Sequence, residues 1–118
     1  MATRVLVVDD HESFRTFARA LLTAAGFDVV AEACDGASAV RAAAEFRPDL
    51  VLLDIRLPDG DGFGVAEVIS TLTPHPPVVV LCSSREAGSY RRRLAGTAAA
   101  GFVAKRDLTG AALRAFVP

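Results

Sequence analysis

Six residues of this chain carry groups that could do chemistry together, and each stands where an apolar run stops. Asp9 and Asp10 follow V-L-V-V, Asp54 follows L-V-L-L, Cys82 and Ser83 follow V-V-V-L, and Lys105 follows G-F-V-A. Carboxylates gathered at one place repel one another, and each resists ionising. Something cationic must offset them. A hard divalent ion with oxygen ligands is one answer, and Mg2+ suits one or two carboxylates with waters and a phosphate. Lys105 is a second, a point charge on a flexible stem matched to a phosphate oxygen. A hydroxyl after the fourth run adds a neutral donor. Together these parts describe a phosphoryl-transfer site with a carboxylate nucleophile. Singly, each has a plainer role. An Asp-Asp pair after a strand often opens a helix, Asp54 before I-R-L-P could open a turn, Lys105 could be a solvated strand end, and Ser83 or Ser84 could cap a helix. Their joint placement at strand ends favours the site.

The elements that must hold these residues can be read from periodicity. Arg4 to Val8 is a continuous β-branched run, the pattern of a strand buried on both faces. Phe14, Phe17, Ala18, Leu21, Leu22 and Ala25 follow helical spacing, with Gly26 where a helix C-cap belongs. Residues 27–33 read as a second strand. Asp35 can cap an Ala-rich helix running to about Phe46, before Pro48. Leu50 to Leu53 is a third strand, and L-P-D-G-D-G (57–62) is a loop dense in turn formers. Val65, Val68, Ile69 and Leu72 predict a helix that T-P-H-P-P ends, and Val78 to Leu81 a fourth strand. Residues 86–99 predict a weaker helix interrupted by Gly88 and Gly96, and Gly101 to Ala104 a fifth strand. Leu108, Ala111, Ala112, Ala115 and Phe116 predict a short last helix. Five βα repeats with strands apolar throughout imply an α/β fold, a parallel sheet between two helix layers joined by right-handed crossovers. Ligands in such folds sit beyond the carboxyl ends of the strands, which is where all six residues fall.

Length and composition exclude several classes. With 118 residues the chain fills one core, and a hydrophobic share of 52% makes it globular. Thirteen basic residues against fourteen acidic leave a net charge of −1, which offers no electrostatic footprint for nucleic acid. No segment approaches the length of a membrane span. Cys34 and Cys82 have no metal or redox spacing, so a reducing, cytoplasmic setting is expected. The glycines and aspartates of D-G-D-G-F-G fit neither a Ca2+ loop nor a dinucleotide fingerprint and are read as turn chemistry. His11 and His75, without partners at ligand spacing, are expected on the surface, and Cys34 in the core as small filler.

Three segments carry a family resemblance. V-L-V-V-D-D-H-E-S-F-R (5–15), P-D-L-V-L-L-D-I-R-L-P-D-G-D-G-F (48–63) and G-F-V-A-K (101–105) resemble the receiver domain of bacterial two-component response regulators, in its LuxR/NarL-type subgroup. The resemblance spans nearly the whole chain and implies a single domain, residues 1–118, with the CheY-like, flavodoxin-like (βα)5 fold and strand order 2-1-3-4-5. It implies Asp54 as phosphoacceptor and Lys105 as the partner of the phosphoryl group. Mg2+ would be held by Asp10 directly, Asp9 mainly through a water, Asp54, and the backbone carbonyl of Arg56. Phe102 falls at an aromatic switch position. The implied partners are a sensor histidine kinase and an output domain, DNA-binding or other, in cis or in trans and outside this chain. The expected role is that of a phosphorylated switch rather than a turnover enzyme, acting as a monomer or weak homodimer.

The chain departs from the family pattern in three places. The fourth strand of receivers ends in Thr or Ser. Counting from Asp54 or Pro77 puts that position at Cys82, the preferred reading, whereas counting back from Lys105 puts it at Ser83. A thiol is a much weaker donor than a hydroxyl. Arg106 stands where many receivers have proline, and the last helix is short. The thiol motivates one alternative, a degenerate receiver that binds partners without being phosphorylated.

Overall fold

The computed structural model describes residues 2–117. Five parallel strands, β1 (Arg4–Val8), β2 (Asp28–Ala33), β3 (Leu50–Asp54), β4 (Val78–Ser83) and β5 (Gly101–Ala104), form one sheet in the order β2-β1-β3-β4-β5. The order reverses direction between β1 and β3, which opens a crevice at their carboxyl ends. Four helices connect the strands, α1 (Glu12–Ala24), α2 (Gly36–Phe46), α3 (Gly62–Ser70) and α4 (Arg91–Ala95), and α5 (Gly110–Arg114) follows the last strand.

Alternation along the strands feeds two cores. Val5 and Val7, Leu50 and Leu52, Val80 and Cys82, and Val103 face Ala18 and Leu22 of α1 and Leu113 of α5. Leu6 and Val8, Val51 and Leu53, and Val79 and Leu81 face Ala39, Ala42 and Ala43 of α2 and Phe63, Ala66 and Ile69 of α3. With both faces covered, these strands need no polar alternation, which explains their continuous apolar runs.

Local signals in the sequence set the helix ends. Asp35 accepts the Ser38 N–H at 2.8 Å and α2 stops at Arg47, left-handed at φ 47°, just before Pro48. Gly26, at φ 93°, turns the chain out of α1. The expected helix over 86–99 is shorter than its pattern: a 3-10 turn, Ala87–Tyr90, precedes the five-residue α4, which buries none of its side chains. Without a buried stripe, Ala-rich periodicity does not hold a long helix against Gly88 and Gly96. The last helix is also shorter. Leu108 is buried before it begins, Thr109 caps it, and its buried contacts are Gly110 and Leu113. In α3, Val68 stands 46% exposed, outside the core stripe that the sequence assigned it to. No helix among the described residues is long and apolar enough to cross a membrane.

Candidate functional site

The same alternation that fills the cores decides which strand-end residues meet. Asp9 continues the parity of Val5 and Val7, Asp54 that of Leu50 and Leu52, and Cys82 that of Val80, so all three belong to the face covered by α1 and α5. Asp54 and Cys82 stand directly opposite each other in the β3–β4 register. Ser83, one residue on, has the other parity.

At the crevice the Asp9 carboxyl is fully buried and Asp54 is 5% exposed, whereas Asp10 reaches solvent. The Lys105 ammonium lies 2.5 Å from Asp9 Oδ2 and 3.7 Å from Asp54 Oδ2, and 4.3 Å from the centre of the Phe14 ring. Asp9 Oδ1 accepts the backbone N–H of His11 at 2.8 Å. Its Oδ2 is buried without a well-directed hydrogen bond, the Lys105 contact being an ion pair. The Arg56 N–H reaches Asp54 Oδ1 at 3.4 Å. Arg15 Nη1 donates to the Asp9 carbonyl at 2.7 Å and its Nε to Glu32 at 3.1 Å, which pins α1 against the end of β1.

Burial and mutual charge set the ionisation of these groups. Burial pushes the Asp54 carboxyl up to about 6; the Lys105 charge opposes this, and the Asp9 charge reinforces it. Asp9 is also raised by burial, but contact with Lys105 and the His11 N–H outweigh that and hold it below the usual carboxylate value. Lys105 is lowered by burial, yet Asp9 and the Asp54 charge keep its ammonium above its ordinary value. The Cys82 thiol is pushed up to about 12 by burial, and the charges of Lys105, Asp54 and Asp9 also act on it. It is therefore a neutral thiol set beneath the carboxylates, not a thiolate nucleophile.

One ligand atom each from Asp9, Asp10, His11 and Asp54 can be chosen so that all lie within 4.8 Å of one another. The carboxylates are hard oxygen donors, one of them open to solvent and one with a buried oxygen lacking a directed partner. That donor set suits a small divalent cation that keeps some of its waters.

The structure thus brings Asp9, Asp10, Asp54, Cys82 and Lys105 together, and Ser83 and Ser84 line the open cleft with Asp10, His11, Asp54, Arg56 and Lys105. Phe102 lies on β5 opposite Leu81 and packs into the other core. Two sequence readings need correction. His11 lies on the surface as expected but is not without partners: its Nδ1 sits 3.1 Å from carboxylate oxygens of both Asp9 and Asp10, which it follows directly at the start of α1. Cys34 is exposed at the end of β2 rather than packed in the core. The loop aspartates act in turns and caps as expected. Asp59 accepts the N–H groups of Gly36 and Ala37, and Asp61 accepts that of Gly64 and pairs with Arg93. Tyr90 was not foreseen. Its hydroxyl lies 3.1 Å from Ser83 Oγ, and no spacing signal links the two residues.

Comparison with known proteins gives consistent matches. A family profile described as the response regulator receiver domain matches residues 5–115. A protein-glutamate methylesterase/protein-glutamine glutaminase from Anaeromyxobacter dehalogenans is 42% identical over 90 residues, which is 75% of this chain and 26% of that protein. The virulence-factor transcription regulator BvgA of Bordetella pertussis is 36% identical over 107 residues, 91% of this chain and 51% of that protein. The chain therefore spans about a quarter of the first relative's length and about half of the second's. Among solved structures, the signal receiver domain of the response regulator NarL from Mycobacterium tuberculosis superposes with a TM-score of 0.83 at 34% identity, covering 97% of this chain and 95% of that one.

Proposed function

The chain belongs to the response regulator receiver domain family, and from that premise we propose that Asp54 accepts a phosphoryl group from a sensor histidine kinase or a small phosphodonor. The observation that carries this reading is the placement of the Asp54 carboxylate, nearly buried at the end of β3 and 3.7 Å from the only lysine of the chain. Burial keeps water from competing for the carboxylate, and Lys105 offers a positive charge to a transferring phosphoryl group.

A carboxylate oxygen of Asp54 attacks phosphorus; the phosphorus–leaving-group bond breaks, and the leaving group departs with the electron pair. Asp10, Asp54 and the Arg56 carbonyl would hold Mg2+, with Asp9 acting through a water. When bound, the ion offsets the repulsion among the carboxylates and the charge on the phosphoryl oxygens. Lys105 follows the added charge by exchanging part of its contact with Asp9 for the phosphoryl group. A donor at the end of β4 and the ring of Phe102 respond in turn, altering the face made by α4, β5 and α5. On this reading the chain is one receiver domain of a cytoplasmic signalling protein whose output domain, DNA-binding or other, lies elsewhere. It is a phosphoacceptor, not a turnover enzyme.

Incubation with acetyl phosphate and Mg2+ tests the reading. The expected product is one phosphoryl adduct by intact mass, absent from Asp54→Asn and absent when Mg2+ is chelated. No adduct, or one that persists in Asp54→Asn, would leave the phosphorylation-independent binding module as the better account.

A further inference from the structure

The hydroxyl that a phosphorylated Asp54 would call on is not where the acceptor's own register puts it. Cys82 occupies that register, and its thiol is a poor donor. The next residue supplies a hydroxyl that is already engaged. Ser83 is 1% exposed. Its Oγ accepts the Arg85 N–H at 3.1 Å and lies 3.1 Å from the Tyr90 hydroxyl. Because Ser83 has the parity opposite to Asp54, its hydroxyl points toward the α4 side while still bordering the acidic cleft. A hydroxyl has one proton to donate, so a proton given to Tyr90 is not available to a phosphoryl oxygen on Asp54.

Tyr90 is placed to pass on that choice. Its ring sits between two others, 6.1 Å from Phe63 at the start of α3 and 6.1 Å from Phe102 on β5. It directly precedes α4, whose one anchor to the core is the half-buried Leu94. Phe102 has no polar atom with which to sense the site, and the Tyr90 ring beside it carries a hydroxyl that does.

We propose that the Ser83–Tyr90 hydroxyl pair senses charge at Asp54 in this chain, with Ser83 leaving Tyr90 for the phosphoryl group and Tyr90, a positioning residue, carrying the change to α4. The proposal rests on the reading of Asp54 as phosphoacceptor. It relocates the polar half of the switch by one residue on β4 and places the moving ring on the segment before α4.

The chain has one tyrosine and no tryptophan, so its near-ultraviolet tyrosine band and fluorescence report Tyr90 alone. Wild type, Ser83→Ala and Ser83→Thr are treated with acetyl phosphate and Mg2+, and the tyrosine signal is recorded beside the mass of the protein. The expected result is a spectral change that follows the adduct in wild type, is lost per mole of adduct in Ser83→Ala, and is retained in Ser83→Thr, which keeps the hydroxyl. An adduct with no tyrosine response in wild type overturns the proposal without touching the role of Asp54. So does an equal response per mole of adduct in Ser83→Ala. Absence of any adduct in wild type instead overturns the phosphoacceptor reading, and the proposal falls with it.

Discussion

A carboxyl group held near pH 6 keeps its proton where an ordinary aspartate has lost it, and burial holds Asp54 there against the opposing charge of Lys105. The folded state binds that proton more tightly than the unfolded chain does. The group therefore contributes stability that is fully present below the ordinary value of 3.8 and is lost as pH rises through about 6. Asp54→Asn removes the loss. In chelator at neutral pH the variant should exceed wild type by about 3 kcal/mol in urea unfolding, with the gain vanishing below the ordinary carboxylate range. A variant less stable than wild type at neutral pH would show that Lys105 already neutralises the site. At this scale the sequence was legible where a residue ends a strand, as Asp9, Asp10, Asp54 and Lys105 do. It was ambiguous at Cys82 and Ser83, since counting from the two flanking landmarks gave two answers and only the strand register separates them. The partners of His11 and the role of Tyr90 were not legible, because they are set by a helix start and by a loop, which leave no periodic trace.

One contact that holds the loop after the acceptor is made by backbone alone. Gly62 opens α3, its N–H donates to the Ile55 carbonyl at 2.7 Å, and a Cβ there would stand 2.5 Å from the Asp54 carbonyl oxygen. No flexible group can yield at that point, so Gly62→Ala has to push α3 or the Asp54–Ile55 peptide aside. We expect a loss of about 2 kcal/mol or more in urea unfolding, with the amide resonances of Ile55 and Arg56 displaced. Unchanged resonances would mean that α3 alone absorbs the methyl group. The sequence announced the first two helices through Gly26, Asp35 and Pro48, whose backbone preferences are local. It overstated the helix after β4, because alanines between Tyr90 and Gly101 match a helical period while only Leu94 and Ala99 pack, half-buried, against the core.

Across the whole molecule, stability is concentrated in the inner strands of the sheet. β1 and β3 lie between two apolar layers, with Val5 to Val8 and Leu50 to Leu53 almost fully buried, whereas α4 buries no side chain. Hydrogen exchange should therefore separate them, with β1 and β3 amides opening only on global unfolding and Arg91–Ala95 amides exchanging orders of magnitude faster. Equal protection in both would contradict a locally yielding α4. The overall architecture was the most legible level of all. Five apolar runs each followed by a helical pattern admit few arrangements, and the short connections admit fewer.

Asp59 gives the acceptor loop a partner far away in sequence. Its carboxylate receives the Gly36 and Ala37 N–H groups at 2.8 and 3.0 Å, and a Cβ on Gly36 would come within 3.2 Å of it. The two positions are therefore a unit of inheritance. A chimera that imports another loop after β3 without an acceptor at position 59 strands two donors at the start of α2, and one that imports another α2 with a side chain at position 36 crowds the carboxylate. Grafts between relatives have a natural seam only where Asp59 and Gly36 travel together.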